Sequence, residues 1–205
     1  MQAILFDIGN VLVWYNHSRT LEAVATLYGV DPARVSDLYT GISHAFGLGE
    51  IMPEQVCALL NEQFDASVSL EQFEQAFSAG ITRNEDALSY AAGLQVEGEL
   101  VIGAISNTNA SHVAWLDAHI PELKQFELVI MSNEVGLLKP NPDIFELALE
   151  LLNLSAGQVL YIDDAAENVA TAHQLGMESF THIDWEQTRA RIAEWRAASS
   201  VAVAG

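Results

Sequence analysis

Short, uninterrupted apolar runs recur along this chain with helical stretches between them, and this alternation constrains the fold most. The runs are Ile4–Phe6, "LVIGAIS" at 100–106, "LVIM" at 128–131 and "VLYID" at 159–163, with "SFTHI" at 179–183 as a weaker fifth. Helix-like stretches lie between them at Asn109–His119, Pro142–Leu152 and Glu167–Leu175. A strand that is apolar at every position has both faces buried, as in a parallel sheet covered by helices on both sides. The expected fold class is α/β, a Rossmann-like doubly wound parallel sheet. Ligands of such sheets bind beyond the carboxyl ends of the strands.

Residues 16–82 break the rhythm and read as helix after helix, at 18–28, 32–45, 53–64 and 70–78. Asp31-Pro32 and Met52-Pro53 mark helix starts, because proline is tolerated in a first turn. Ser69, three residues before Gln72, fits a capping box. A small all-helical cap domain over 16–82 is therefore expected, inserted after the first strand of a core made of 1–15 and 83–205. A chain of 205 residues is long enough for both. The tail "AASSVAVAG" is expected to fray.

Charge narrows the partners. The chain carries 28 acidic and 8 basic residues, a net charge of −20. Such a surface repels nucleic acid and anionic membranes, so neither is expected as a partner. It also repels phosphorylated molecules, so any anion site must rely on locally placed cations, a metal or backbone N–H groups. No apolar run reaches the roughly 18 residues of a membrane helix, and no basic segment precedes the first apolar stretch. With a single cysteine, Cys57, no internal disulfide framework is possible, and a cytoplasmic location is expected.

Chemistry-bearing residues stand at the strand ends. Asp7 follows the first strand, Ser106 and Asn107 the second, Lys139 lies in "GLLKPNPDIF" after the third, and Asp163-Asp164 close the fourth. Each has an ordinary reading: a turn aspartate, a helix N-cap, a solvated lysine, acids complementing a helix dipole. Their joint occurrence in this order favours a site, since parallel strands bring all these ends to one edge. Clustered carboxylates repel one another unless a cation joins them. A hard, oxygen-liganded ion such as Mg²⁺ does so, and it is the usual partner of phosphate. One carboxylate can then attack phosphorus while Lys139 and Ser106 hold the equatorial oxygens.

"FDIGNVLV", "ISNTN", "GLLKPNPDIF" and "YIDDAAENVATAHQLGM" resemble the four motifs of the haloacid dehalogenase superfamily of hydrolases. The insert lies where that family carries a helical cap of the first type. "AFGLGEIMPEQV" (45–56) is similar to the cap helix–loop of the subgroup that contains bacterial glucose-1-phosphate phosphatases and the phosphatase domain of soluble epoxide hydrolases, and "DIGNV" resembles the former more. The resemblance implies a Mg²⁺-dependent phosphatase acting on a small phosphorylated metabolite, a sugar 1-phosphate above others. Asp7 would be nucleophile and Mg²⁺ ligand, and the Gly9 carbonyl and Asp164 further ligands. Asp163 would bind behind them or through water. Ser106, the Asn107 backbone and Lys139 would bind the phosphoryl group, and Asn168 would order the loop.

The family's phosphatases usually place a second aspartate two residues after the nucleophile, as the acid that protonates the leaving oxygen. Gly9 stands there, and loss of a positioned proton donor typically slows a reaction about 10²–10⁴-fold. A leaving group that needs little help is one answer, and a cap histidine, His17 or His44, another. Arg19 and His44 are candidates for substrate contacts, while His112, His119, His173 and His182 read as structural. Trp14 and Tyr15 are expected at the core–cap junction. A haloacid dehalogenase reading needs no metal, and a binding protein that has lost hydrolysis is a further alternative.

Overall fold

A computed structural model of the protein describes residues 1–96 and 100–203. Strand β1 (Gln2–Phe6) is followed by a short β2 (Val13–Tyr15) and four helices, α1 (His17–Tyr28), α2 (Pro32–Gly47), α3 (Pro53–Phe64) and α4 (Leu70–Phe77). The chain continues through β3 (Ile81–Arg83), α5 (Glu85–Val96), β4 (Leu100–Ser106), α6 (Ala110–His119), β5 (Leu128–Met131) and the single-turn α7 (Ser132–Val135). It ends with α8 (Pro142–Leu152), β6 (Val159–Asp163), α9 (Ala166–Gln174), β7 (Glu178–Thr181) and α10 (Trp185–Val203). The tail expected to fray is helical as far as Val203, and 204–205 lie outside the described residues.

Five strands form a parallel sheet in the order β5-β4-β1-β6-β7. Successive side chains of a strand point to opposite faces, and both faces here are apolar. Ile4, Phe6, Ile102, Ala104, Leu160 and Ile162 join one buried cluster. Ala3, Leu5, Ile105, Val159 and Tyr161 join another, packed with Ile144, Phe145 and Ala148 of α8. Continuous apolar runs therefore read correctly as doubly covered strands. Gly103 is fixed by crowding: a Cβ there would lie 2.7 Å from Leu5 Cδ2 and 2.8 Å from the Leu128 carbonyl oxygen.

Helices α1–α4 surround a third cluster that includes Val24, Phe46, Val56, Leu60, Phe73 and Phe77. Their starts follow the local chemistry. Asn16 accepts from Arg19 N–H at 3.0 Å and Asp31 from Ala33 N–H at 2.8 Å. Ser69 and Gln72 close a reciprocal capping box. At the base of this segment β2 and β3 pair antiparallel, Val13 with Arg83, Trp14 with Thr82 and Tyr15 with Ile81. The sequence reading did not include this ribbon, because three-residue strands carry too little periodicity to register. It likewise passed over α5 and α10.

The helical segment meets the sheet unit through close main-chain contacts. The Ser132 hydroxyl donates to the Gly47 carbonyl at 2.7 Å. Gly49 is held at φ +73°, and a Cβ there would lie 2.1 Å from the Asn133 carbonyl oxygen, so only glycine fits.

Candidate active site

The register of the sheet brings the candidate residues together. Phe6 pairs with Ala104 on one side and Ile162 on the other. The chain beyond these pairs presents Asp7, Ser106 and Asp163 at one edge. Lys139 arrives from the loop between α7 and α8, where the Asn107 side chain clamps its backbone: Nδ2 donates to the Lys139 carbonyl and Oδ1 accepts from its N–H, both at 2.8 Å. The Asn107 amide is thereby engaged, so a contact from Asn107 to a ligand would come from its main chain.

Lys139 is buried, and its ammonium donates to Asp7 Oδ1 at 2.6 Å, Asp163 Oδ2 at 2.7 Å and the Ile105 carbonyl at 2.8 Å. An ammonium has three N–H bonds, so none is directed at a phosphoryl oxygen in this arrangement. Burial works against its charge, but the Asp7 and Asp163 carboxylates outweigh burial and hold Lys139 above the usual lysine range. Asp7 is pushed up to about 6: burial dominates, the Lys139 charge pulls down, and the neighbouring Asp163 pushes up again.

The paired acids differ in setting. Asp163 is fully buried and accepts from Lys139, the Tyr161 hydroxyl, Ala165 N–H and Asn168 Nδ2. Its oxygens are occupied, so it orients neighbours rather than offering a free lone pair. Asp164 is exposed, and its Oδ2 accepts from Asn10 Nδ2 at 3.1 Å. Asn10 sits at φ +55°, turning the chain so that its amide faces Asp164 while its oxygen accepts from Tyr15 N–H.

Carboxylate oxygens of Asp7, Asp163 and Asp164 lie within 4.8 Å of one another. With Lys139 as the neighbouring cation, the group retains net negative charge, which suits a hard divalent ion with oxygen ligands. Asn168 lines a cavity beside this cluster, and its Oδ1 is buried with no hydrogen-bond partner among the described residues. An acceptor so placed suits a hydrated cation.

That cavity has a volume of about 230 Å³ and takes in Asp7, Gly9, Ser106, Lys139 and Asp164. A Cβ built on Gly9 would approach nothing closer than Asp7 Oδ2, at 3.7 Å, so glycine is not forced there by crowding. Arg19 and His44 are exposed and do not line this cavity. Arg19 sits in the first turn of α1, over a separate groove with Glu71 and Trp115. His44 lies near the end of α2. His17 is also exposed, and its Nδ1 meets the Tyr15 hydroxyl at 3.1 Å.

Thr108 and His112 line the cavity and were not among the sequence candidates. His112 is buried, with Nε2 3.3 Å from the Phe77 carbonyl and Nδ1 3.3 Å from Asn109 Nδ2. Burial lowers it to about 4 and keeps the ring neutral. The available signal was Asn109, three residues earlier, which caps α6 and sets the register of His112.

A carboxylate just past the central strand, a lysine reaching it from a distant loop and an acidic pair at the end of the adjacent strand together define a hydrolase class. Residues 1–176 match the family of haloacid dehalogenase-like hydrolases, and the chain belongs to that family. It is 26% identical over 199 residues to a D-ribitol-5-phosphate phosphatase of Bacteroides thetaiotaomicron, covering 90% of this chain and 94% of that protein. It is 25% identical over 192 residues to a phosphorylated carbohydrates phosphatase of Thermotoga maritima, covering 87% of this chain and 83% of that one. A solved haloacid dehalogenase family enzyme from Bacteroides thetaiotaomicron, in complex with magnesium and inorganic phosphate, shares the fold with a TM-score of 0.82. Its identity is 24%, and the match covers 92% of this chain and 98% of that one. Among the described residues no helix is long and apolar enough to cross a membrane.

Proposed function

We propose that this enzyme is a Mg²⁺-dependent phosphatase that hydrolyses a small sugar phosphate through an aspartyl-phosphate on Asp7, and that residues 16–82 act as its cap. The observation that carries the reading is the Lys139 ammonium bridging Asp7 and Asp163. A buried lysine held charged keeps the Asp7 oxygen ionised and aimed, as a nucleophilic carboxylate requires. Asp7, the Gly9 carbonyl and Asp164 would hold the ion, with Asp163 and Asn168 behind them. When bound, Mg²⁺ neutralises charge on the phosphoryl oxygens.

An Asp7 carboxylate oxygen forms the new bond to phosphorus as the bond to the leaving oxygen breaks. Ser106, at the end of β4, donates its hydroxyl to a phosphoryl oxygen, and the Asn107 main chain assists. Water then releases phosphate and regenerates Asp7. The groups lining the cavity include no free carboxylic acid for the leaving oxygen: Asp7 is the nucleophile, Asp163 is saturated, Asp164 faces the ion site, and Gly9 has no side chain. Substrates whose leaving oxygen departs with little protonation are therefore favoured, which ranks sugar 1-phosphates above 6-phosphates.

The test is steady-state phosphate release from a panel of phosphorylated metabolites with Mg²⁺, comparing 1- and 6-phosphates of the same sugar. Faster turnover of 1-phosphates is expected. Equal or faster 6-phosphate hydrolysis removes the leaving-group argument, and activity on 2-haloacids that survives EDTA replaces the phosphatase reading with dehalogenation.

A further inference from the structure

We propose that a second, smaller cavity bordering the first is the leaving-group subsite, and that Tyr15, Tyr39 and Ser43 make it select a neutral, hydroxyl-bearing leaving group. The proposal rests on the phosphatase reading. This cavity, of about 150 Å³, shares Tyr15, Asn107, Thr108 and His112 with the Asp7 cavity. A molecule whose phosphate occupies the first would place its remainder in the second. Helix α2 closes the far side with Tyr39, Ser43 and Gly47.

The lining of this subsite is uncharged. The chain carries 28 acidic residues, yet among the described residues no Asp, Glu, Lys or Arg borders it. His112 is neutral, with both ring nitrogens facing protein partners. Asn107 and Asn109 have their side-chain oxygens committed to the backbones of Lys139 and His112. Hydroxyls remain, from Tyr39, Ser43 and Thr108, beside that of Tyr15, which meets His17 Nδ1 at 3.1 Å. The Tyr39 hydroxyl makes no hydrogen bond among the described residues, and Ser43 Oγ makes only a 3.4 Å contact to the Thr40 carbonyl. Burial pushes both phenols up, Tyr39 to about 12, so they stay neutral donors at working pH.

Neutral hydroxyls exchange hydrogen bonds with a polyol without having to strip an ion of water. A carboxylate, an amine or a second phosphate entering here would lose hydration and meet no counter-ion, which strongly disfavours it. The Tyr15 and Tyr39 rings offer apolar surface to the C–H faces of a sugar. Neither Arg19 nor His44 reaches this subsite, so specificity falls to side chains that sequence spacing did not single out.

The experiment measures kcat and KM with Mg²⁺ for neutral polyol phosphates of four to six carbons, for phosphoglycolate and phosphoethanolamine, and for p-nitrophenyl phosphate. The wild type should favour the polyol phosphates over the charged pair by at least tenfold in kcat/KM. Tyr39→Phe and Ser43→Ala each remove one hydroxyl partner, and should raise KM for polyol phosphates about two- to tenfold. Their loss in kcat/KM on p-nitrophenyl phosphate, whose leaving group carries no hydroxyl, should be several-fold smaller than their loss on the polyol phosphates. Equal turnover of phosphoglycolate overturns the proposal, as does an equal loss on every substrate in both variants. If no phosphomonoester is hydrolysed at all, the phosphatase reading fails and the subsite falls with it.

Discussion

Lys139 and Asp7 stand 132 positions apart in the chain and meet at 2.6 Å, with the same ammonium 2.7 Å from Asp163. One buried cation thus serves two buried carboxylates, and the exposed Asp164 adds a third acid to the cluster. The imbalance has a structural origin. The acids are placed by two adjacent strands, Asp7 by β1 and the Asp163-Asp164 pair by β6, whereas the lysine is delivered by a loop that the Asn107 amide clamps in place. The site therefore has more acids than cations, in a protein whose net charge is −20.

Removal of the lysine should expose this imbalance. Lys139→Met leaves Asp7 and Asp163 buried without their cation, and breaking a buried pair on one side typically costs about 3–5 kcal/mol. Urea denaturation at pH 7 should show a loss of this order, with phosphate release abolished. The Lys139→Met/Asp7→Asn double variant, with one fewer buried charge, should recover part of the stability but no turnover. A recovery no larger than the gain Asp7→Asn gives on its own would mean that the pair is not coupled.

Asp7 itself should lower the stability of the metal-free protein. Its carboxyl titrates near 6 when folded against an ordinary 3.8, so the unfolded chain ionises more readily. Stability is lost as pH rises from about 4 to 6, and above that the loss is complete, on the order of 3 kcal/mol. In EDTA, Asp7→Asn should be more stable than wild type at pH 8 and nearly equal to it at pH 4, by thermal unfolding. An equally large gain at both pH values would mean that relief of a buried charge is not its source.

Sequence reading recovered the sheet because every strand is apolar on both faces, and this pattern survives without tertiary information. The strand-end residues Asp7, Ser106 and Asp163 were legible for the same reason: their positions follow from where apolar runs stop. Lys139 was legible as a residue in the loop after the third strand, though not its contact: nothing in the spacing of the chain says that its ammonium reaches Asp7, 132 residues away. What escaped depends on long-range approach. The β2–β3 ribbon joins residues 13–15 to 81–83. The Tyr39 and Ser43 side of the cavity exists only because α2 packs back over the loop after β4. Arg19 and His44 were candidates for substrate contacts, yet both are exposed and line neither the Asp7 cavity nor its neighbour.

Mg²⁺ should bind the native state and not the unfolded chain. At a concentration one hundred times Kd this linkage stabilises by about 2.7 kcal/mol. A melting temperature that rises with Mg²⁺ and returns with EDTA is expected for wild type. Asp164→Ala should respond far less, because its exposed carboxylate is the one whose hydrogen-bonding capacity is least used by the protein. An undiminished Mg²⁺ shift in Asp164→Ala would place the ion elsewhere.

His112 should set an acid limit on the contact between the α1–α4 segment and the sheet unit. Its ring joins the end of α4, through the Phe77 carbonyl, to α6, and stacks on the Phe77 ring with centroids 4.9 Å apart. The folded ring accepts its second proton only near 4, whereas an unfolded histidine does so near 6.5. Above 6.5 both states are neutral and nothing is lost. As pH falls from 6.5 toward 4 the unfolded state binds the proton first, so stability drops, by on the order of 3 kcal/mol across the window. Asp7 titrates with the opposite sign between about 4 and 6, so the two effects mask each other in wild type. The comparison therefore belongs in the Asp7→Asn background. There, stability should fall more steeply with acid than in Asp7→Asn/His112→Gln, where no imidazole titrates. Parallel pH curves for the two proteins, or an NMR midpoint for His112 close to 6.5, would show that this ring is open to protons and does not hold the contact.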